Sequence, residues 1–379
     1  MRGIVFHGKG DIRYEESYPE PQIQNADEVK LKVSYCGICG SDLHEYLDGP
    51  IFFKDARNEV SNKPNVQCMG HEMSGEIVEI GSNVKSLKVG DKVVVDATGT
   101  CLDRVRFPGT PNFKNKPCGS CADGIYNACD HIGFTGLGFA DGGFADYCVV
   151  GESHAIRYPD TIPDDVAALT EPLAVAWHAV RTSHIDSKGS ALVLGAGPIG
   201  LGTIFALKGH QVQKIVVVEP SLARRNLARK FGVEVFDPSG FNSVEETVTQ
   251  LRKLSNNGYG FSHSYDCSGI PATFNMSVQA LKANGVSTNL AIWPHKAINF
   301  FPMDLTLHEK YLTGSMCYVR KDFEEVIQAY EQGLLNPHEV SELITSVIPL
   351  KDGIEKGFKE LVFHKDKHIK ILFAVNGKV

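Results

Sequence analysis

The segment VLGAGPIG, residues 193–200, constrains the fold of this chain more than any other part of its sequence. Three glycines lie in it with G-x-G-x-x-G spacing, between an apolar strand and the start of a helix: Gly195, Gly197 and Gly200. They permit a tight turn, the approach of a pyrophosphate to the backbone, and close packing of helix on strand. The helix N-terminus at Pro198 and Ile199 adds a positive dipole. The motif therefore predicts a dinucleotide site.

Glu219 supports this prediction, because it ends the next predicted strand 19 residues beyond Gly200. A carboxylate at that place accepts hydrogen bonds from ribose hydroxyls. It also repels a 2′-phosphate, so we expect NAD rather than NADP. Arg224 and Arg225 follow closely, and we expect Arg224 to contact the cofactor. Arginines here can accommodate a phosphate, or they can simply form a solvated helix face.

Short apolar strands and helical segments alternate from Ala191 onward, which predicts a parallel sheet with helices on both faces. The first 150 residues instead contain short β segments separated by glycine and proline, which predicts a small barrel-like β domain. Between the two, residues 164–184 have apolar side chains at helical spacing and are predicted to form one helix. The fold class expected is α/β plus β.

Length and charge limit the function. A chain of 379 residues suggests two domains. A formal charge of −7 offers no basic field for nucleic acid, so we expect none as a partner. The longest uncharged run, residues 189–207, is interrupted by glycines and Pro198, and we expect no membrane span. Ten cysteines without a secretion signal indicate reduced thiols and a cytoplasmic protein.

A first group of cysteines has metal-ligand spacing. Cys118, Cys121 and Cys129 form C-x2-C-x7-C in a loop rich in Gly, Asp and Asn. Cys101 is the nearest candidate for a fourth ligand. Four thiolates close the coordination shell of zinc, as in a structural site. The alternative is a set of unligated surface thiols.

A second group is more dispersed, in CGICGSDLH, GHE and EPL. It offers Cys39, His71, Glu72 and Glu171 as sulfur, nitrogen and oxygen ligands. A mixed set that leaves a position for water or substrate is what a catalytic zinc requires. By spacing alone, Cys36 and Cys39 also fit a zinc knuckle or a redox pair.

The segments VSYCGICGSDLHEYLDGPIF, MGHEMSG, VVVDA, GFTGLG, ALVLGAGPIGL and YDCSG resemble the zinc-containing medium-chain dehydrogenase/reductase family, in its polyol and butanediol dehydrogenase branch. The resemblance covers nearly the whole chain. It implies a GroES-like catalytic domain at 1–160 with a structural zinc lobe at 101–129, a Rossmann NAD-binding domain at 161–311, and a C-terminal return to the catalytic domain at 312–379. It also implies an active site in the cleft between the domains, and a homo-oligomer, since dimers and tetramers both occur.

The resemblance assigns the catalytic zinc to Cys39 rather than Cys36, with His71 as second ligand. Glu171 and Glu72 can each occupy or exchange at the remaining position. In the family the four structural cysteines lie close together, whereas here an insertion moves the first one upstream, to Cys101.

The reaction implied is reversible oxidation of a secondary alcohol, with zinc as Lewis acid and hydride transfer to nicotinamide. Ser41 and His44 are the predicted proton relay; the alternative for His44 is a surface residue. The substrate expected is a vicinal diol and its hydroxyketone, (R,R)-2,3-butanediol and acetoin, with sorbitol or xylitol as the runner-up. Two other classes of protein are the alternatives. A zinc hydrolase would not need the glycine motif, so that motif counts against it. A non-catalytic nucleotide-binding protein would not need the dispersed metal ligands, so those ligands count against it.

Overall fold

In the computed structural model, which describes residues 1–53, 55–110, 116–293, 296–364 and 366–379, the chain divides into two units. The first unit comprises Met1–Glu171, Val319–Ile327 and Val340–Val379, and the second comprises Pro172–Tyr318 and Gln328–Glu339. The C-terminal residues therefore belong to the same unit as the N-terminal ones.

Short strands make up most of the first unit. Up to residue 171 they are, in chain order, β1 (Gly3–Gly8), β2 (Asp11–Glu15), β3 (Glu28–Gly37), β4 (Gln67–Cys68), β5 (Glu72–Ile80), β6 (Lys92–Val95), β7 (Thr98–Gly99), β8 (Gly133–Thr135), β9 (Gly138–Ala140), β10 (Tyr147–Gly151) and β11 (Ala155–Arg157). The α-helices of this part are α1 (Gly40–Asp48), α2 (Gly119–Ala122) and α3 (Asp164–Ala167), and a 3₁₀ helix spans Cys101–Arg106.

Strands and helices alternate in the second unit, which α4 (Thr170–Thr182) enters. The strands are β12 (Ser190–Leu194), β13 (Lys214–Val218), β14 (Glu234–Phe236), β15 (Phe261–Asp266), β16 (Leu281–Asn289) and β17 (Tyr311–Gly314). The helices are α5 (Pro198–Gly209), α6 (Leu222–Lys230), α7 (Val244–Lys253), α8 (Pro271–Gln279) and α9 (Met303–Thr306).

After β17 the chain forms α10 (Arg320–Glu331) and α11 (Pro337–Ser341), and then completes the first unit with β18 (Ile344–Pro349), a π-helical turn at Gly353–Phe358, α12 (Lys359–Phe363) and β19 (Lys370–Ala374). Strand β18, which pairs in parallel with β19, was not predicted from the sequence.

The largest sheet of the first unit is organised around β3. Strand β5 pairs with β3 along one edge, while β10 and β19 share the other edge, and all three are antiparallel to it. The sheet order is β11-β6-β5-β3-β19-β18, with β10 also on β3. Two three-stranded sheets, β2-β1-β4 and β7-β8-β9, complete the β structure described in this unit. The expected GroES-like β domain is confirmed.

The sheet of the second unit has the order β14-β13-β12-β15-β16-β17, and every neighbouring pair is parallel. This is the 3-2-1-4-5-6 order of a Rossmann fold. Leu192 and Leu194 from β12, and Val216 and Val218 from β13, are buried in one apolar cluster with side chains of α7 and α8. The predicted parallel sheet is confirmed.

The prediction of one continuous helix over residues 164–184 was wrong. Helix α3 ends at Ala167 and α4 begins at Thr170. Pro172 explains the interruption: it has no amide hydrogen, and its ring clashes with the carbonyl group four residues earlier in a continuous helix. In the first turn of α4 it is tolerated, because amide groups there have no intrahelical acceptor. None of the helices in the described residues has both the length and the apolar character needed to cross a bilayer.

Candidate metal and nucleotide sites

One candidate site lies at the end of the β3–β5 pair. The antiparallel register places Gly37, the last residue of β3, opposite Glu72, the first residue of β5. Cys39 follows β3 as the residue that caps α1, and His71 directly precedes β5. Since the two strands run in opposite directions, these segments meet at the same end of the sheet.

This register brings three of the predicted ligands together. Cys39, His71 and Glu72 each offer a ligand atom within 4.8 Å of the other two. His71 and Glu72 are buried, and Cys39 is partly exposed. A thiolate, an imidazole and a carboxylate are all zinc ligands, and three protein ligands leave one tetrahedral position open. The donor set therefore fits a catalytic rather than a structural zinc.

Asp42 lies beside the imidazole of His71. The Asp42 Oδ1 atom lies 3.5 Å from His71 Nδ1, and the other carboxylate oxygen accepts a 2.9 Å hydrogen bond from the Cys39 amide. Burial opposes protonation of His71, but the charges of Asp42 and Cys39 outweigh it and raise its pKa. A carboxylate beside Nδ1 favours the tautomer with its proton there, which leaves Nε2 as the electron-pair donor toward a metal.

A buried cation contacts Glu72. The Lys370 ammonium, from β19, lies 2.7 Å from each Glu72 carboxylate oxygen. Burial lowers the pKa of Lys370, but the charges of Glu72, Cys39 and Glu171 outweigh it and raise the pKa above its ordinary value. The site thus contains one charged lysine that offsets several anionic groups.

The other predicted residues lie at different distances from this group. Glu171 is buried at the start of α4 and is not part of the set within 4.8 Å, although its charge acts on Lys370. The Ser41 hydroxyl, on α1, is 3.2 Å from His71 Nε2. His44, one turn later on α1, is exposed. The relay from Ser41 to His44 stays a prediction.

The second candidate metal site is the cysteine lobe. Cys101, Cys118, Cys121 and Cys129 each offer a sulfur within 4.8 Å of the other three. Backbone amides of Cys101 and His131 donate to Cys129 Sγ at 3.3 and 3.4 Å, and the Cys118 amide donates to Cys101 Sγ at 3.3 Å. Amide donors of this kind stabilise thiolate charge. The structure therefore brings Cys101 to the three clustered cysteines across the insertion.

The pKa values in this lobe indicate that it suits a cation. Burial would raise the pKa of Cys118, but hydrogen bonds from the Asp130 and Cys121 amides outweigh it and lower the pKa to about 6. Burial and the neighbouring thiols raise the pKa of Cys121, and burial raises that of Cys129 to about 11. Of these three thiols one ionises easily and the other two ionise less readily, so a bound cation is needed for Cys118, Cys121 and Cys129 to be thiolates together. The lobe fits a structural zinc.

The glycine motif forms the loop between β12 and α5. Gly195 has φ +100°, and a Cβ atom at Gly200 would collide with the Gly195 carbonyl oxygen. A Cβ atom at Gly197 would instead meet only Arg224 Nη1, at 3.8 Å. The amides of the first turn of α5, including that of Ile199, have no intrahelical acceptor. The open space at Gly197 in front of these donors fits a pyrophosphate.

Glu219 and Arg225 lie near this glycine loop, and hydrogen bonds and an ion pair hold their side chains in place. The Glu219 carboxylate is buried and accepts hydrogen bonds from the Ala196 and Ser221 amides, each at 2.8 Å. Arg225 donates to the Glu219 and Pro220 carbonyls and pairs with Asp237 at 2.6 Å. Since Arg225 is engaged in the interior, Arg224 is the arginine that lies beside the glycine loop.

Two residues of the metal site were not identified from the sequence. Asp42 follows Cys39 by three residues, and an acidic side chain at that position of a helix N-terminus is a recognisable signal. Lys370 is the one charged residue in the apolar segment IKILFAV, which is a sign of a buried cation with a partner. Its partner lies 298 residues away, so local spacing did not reveal the pair.

Two family models match the chain. The one described as alcohol dehydrogenase GroES-like domain matches residues 25–160, and the one described as zinc-binding dehydrogenase matches residues 198–332. The first of these ranges contains Cys39, His71 and Glu72 together with the cysteine lobe. The second begins at the first turn of α5 and contains Glu219.

Curated relatives and a solved structure match from end to end. A Saccharomyces cerevisiae protein named (R,R)-butanediol dehydrogenase is 50% identical over all of this chain and 99% of its own length. A second protein of that yeast, named probable diacetyl reductase 2, (R)-acetoin forming, is 46% identical over all of this chain and 91% of its own length. The crystal structure of 2R,3R-butanediol dehydrogenase from Bacillus subtilis superimposes with a TM-score of 0.85 at 34% identity, covering 98% of this chain and 99% of that one.

Proposed function

This chain belongs to the zinc-containing medium-chain dehydrogenase/reductase family, and from that premise we propose that it interconverts a vicinal diol and its hydroxyketone. The pair proposed is (R,R)-2,3-butanediol and acetoin, with NAD as the redox partner. The observation that carries the proposed reaction type is the donor set of Cys39, His71 and Glu72. The choice of substrate is supported by the names of the relatives that match this chain over its whole length.

Each residue of the donor set and its surroundings has a proposed role. When bound, zinc supplies a Lewis acid for the substrate oxygen, and NAD supplies the hydride acceptor. Asp42 holds the His71 ring in the orientation that exposes Nε2. The Ser41 hydroxyl accepts the proton that the substrate hydroxyl loses, and His44, exposed on the same helix, passes it to solvent. These side chains remove the proton, while hydride leaves the carbon that bears the oxygen.

A diol offers a second hydroxyl that a simple alcohol lacks. Glu72 and Glu171 are the acidic side chains around Lys370, and either carboxylate is suited to accept a hydrogen bond from that hydroxyl. A buried acceptor that loses its partner costs about 1–3 kcal/mol, which corresponds to about a 5- to 150-fold difference in kcat/KM. A preference for vicinal diols over mono-alcohols follows from this arrangement.

Comparing substrates tests the proposal. We expect kcat/KM for (R,R)-2,3-butanediol to exceed that for 2-butanol, the matched compound without the second hydroxyl, by about 5- to 150-fold. The other butanediol stereoisomers, sorbitol and xylitol complete the series, and reduced-cofactor absorbance is the readout. If sorbitol exceeds every butanediol isomer, the polyol alternative replaces the butanediol proposal while the dehydrogenase reaction stands.

We propose two zinc ions per chain, one catalytic at Cys39, His71 and a glutamate, and one structural at the four cysteines of the lobe. Glu72 or Glu171 supplies the third protein ligand of the catalytic zinc. We also propose NAD rather than NADP as the cofactor, bound by the glycine loop, Glu219 and Arg224. The buried Glu219 carboxylate beside the loop supports this choice, because it places a negative charge where a 2′-phosphate would lie.

Replacing Glu219 tests the cofactor proposal. The wild-type protein should have a higher kcat/KM with NAD than with NADP. Glu219→Gln should lower the ratio of these two kcat/KM values by about tenfold or more, since a charge-assisted hydrogen bond is worth about 1.5–3 kcal/mol. Glutamine keeps an acceptor oxygen for the Ala196 amide but loses the oxygen that accepts from the Ser221 amide, so the variant removes the charge together with one hydrogen bond. The matched control is Glu234→Gln, on β14, whose exposed carboxylate pairs with Lys214. A wild-type preference for NADP would overturn the assignment.

The assembly and location are also proposals. We propose a homo-oligomer, a dimer or tetramer. Strand β17 ends the described sheet of the second unit, and each of its four residues is exposed. Large apolar side chains on β17 or between β16 and β17 in the sequence are exposed too: Ile292, Phe301, Leu307 and Tyr311. An exposed edge strand with an apolar surface favours association with another chain. All ten cysteines are free thiols, which supports the proposed cytoplasmic location.

A further inference from the structure

The first unit contains a cavity of about 420 Å³ that none of the sites described above uses. Three segments line it: residues between 57 and 64, residues 106–110 from the insertion that follows Cys101, and the pair Gln24 and Asn25. None of the described residues that line it is a member of the donor set, a cysteine of the lobe or part of the glycine loop. Its volume lies in the range of cavities that bind small molecules.

Hydrogen bonds between the three segments fix the walls of this cavity relative to one another. The Thr110 hydroxyl donates to the Val60 carbonyl oxygen at 2.9 Å, and both residues are buried. The Asn25 side-chain amide donates to the Arg106 carbonyl oxygen at 2.8 Å. The insertion is thus joined to both of the other walls, and the cavity is a defined part of the fold.

Every charged side chain among the described lining residues is positive. Arg57, Lys63 and Arg106 line the cavity, and none of the lining residues that the structure describes is an aspartate or a glutamate. This is unusual in a chain whose formal charge is −7. The buried Arg106 guanidinium is compensated, because it lies 3.0 Å from Glu28 and 3.6 Å from Asp103. Arg57 and Lys63 therefore supply the positive charge of the cavity.

The acidic residues near Lys63 have other partners. A neighbouring cavity, which Lys63 also lines, contains three of them: Glu20, Glu28 and Asp141. Glu20 pairs with Lys30, and Asp141 accepts a 2.8 Å hydrogen bond from the Tyr18 hydroxyl. Within the part of the chain that the structure describes, neither Arg57 nor Lys63 forms an ion pair. Two cations that face one cavity without a carboxylate partner favour an anionic ligand.

We infer that this cavity binds a small organic phosphate through Arg57 and Lys63. Arginine offers a planar fork of donors and lysine a compact charge, and both bind phosphate oxygens. Phe107 and two prolines, Pro64 and Pro108, add apolar surface for the organic part of the ligand. The site is additional to those of the proposed dehydrogenase reaction.

Isothermal titration calorimetry with phenyl phosphate tests the inference on the full-length protein, with NAD present to occupy the glycine loop. The wild-type protein should bind phenyl phosphate more tightly than orthophosphate, because the ring gains contacts with the apolar wall. Arg57→Gln and Lys63→Gln should each raise Kd by about tenfold or more, because each removes a hydrogen bond from a charged donor. Thermal unfolding without ligand shows that each variant is folded.

Two matched controls separate a local site from general charge. Arg13→Gln/Lys9→Gln removes one arginine and one lysine from exposed positions of the same unit, so Kd should stay at its wild-type value. A Cβ atom at Gly109, on the cavity wall, meets no atom of the described residues within 4 Å. Gly109→Glu should therefore be accommodated and abolish binding by occupying the cations. Gly109→Gln, which adds the same volume without charge, should weaken binding much less.

Three results would overturn the inference. The wild-type protein would fail to bind phenyl phosphate, or Arg57→Gln and Lys63→Gln would bind it with wild-type Kd. Equal losses in Arg13→Gln/Lys9→Gln would show that the overall field rather than this cavity attracts the anion. Equal Kd values for orthophosphate and phenyl phosphate would remove the organic part of the ligand from the inference. No turnover is measured, so a wrong diol assignment does not change these outcomes.

Discussion

Replacing Cys39 by serine should lower kcat/KM for diol oxidation by about 10³-fold, because the zinc that Cys39 would hold supplies a Lewis acid whose effect is worth several kcal/mol. The thiolate is the form of cysteine that binds zinc, and a serine hydroxyl is not ionised at neutral pH. The Rossmann unit does not contain Cys39, so cofactor binding should persist. Steady-state kinetics and metal analysis of the same preparation measure both parts of this expectation.

Cys36→Ser is the matched control, since Cys36 lies three residues earlier in the same CGIC segment. Its thiol is fully buried and is not part of the group formed by Cys39, His71 and Glu72, so we expect it to bind no metal. We expect this variant to keep its metal content and most of its turnover. Substantial turnover by Cys39→Ser with the catalytic site depleted of zinc would contradict the Lewis-acid role.

Replacing Cys118 by serine should reduce the metal content from about two zinc ions per chain to about one, because only the lobe loses a ligand. It should also lower the free energy of unfolding by several kcal/mol, on the order of what loss of a structural metal costs a fold that depends on it. Metal analysis of protein purified without added zinc and thermal unfolding measure the two effects.

Cys148→Ser controls for the loss of a thiol as such. Cys148 lies in the same unit, outside the cluster, and donates to the Asp141 carbonyl at 3.3 Å, a hydrogen bond that serine also makes. Metal content should be that of the wild-type protein. If both the wild-type protein and Cys118→Ser contain about one zinc, the lobe is not a metal site.

The sequence revealed the features whose signals are local. Three glycines, a preceding apolar strand and Glu219 lie within residues 190–219, and together they predicted the Rossmann fold that the order of β12–β17 confirms. The spacing of Cys118, Cys121 and Cys129 is local in the same way. In these cases the residues that act together are also neighbours in sequence, so periodicity and spacing are sufficient to find them.

The remaining features depend on pairing between distant segments. Cys39 and His71 meet because β3 and β5 pair in one particular register, and Lys370 reaches Glu72 because β19 pairs with the other edge of β3. No spacing within a single segment encodes these registers. The break between α3 and α4 was missed for a different reason: the apolar periodicity continues through it, and only Pro172 marks where the hydrogen bonding changes.

The shared edge of β3 also sets an order in which the chain can be assembled during its synthesis. The cysteine lobe spans 28 residue steps, from Cys101 to Cys129, so all of its ligands leave the ribosome almost together. Strand β19 is translated only after the whole parallel sheet of the other unit, 298 residues after Glu72. Domains generally fold as they emerge, from the N-terminal side. All four ligands of the proposed lobe zinc are therefore available early in synthesis, whereas the group of Cys39, His71 and Glu72 lacks Lys370 until nearly the entire polypeptide has been made.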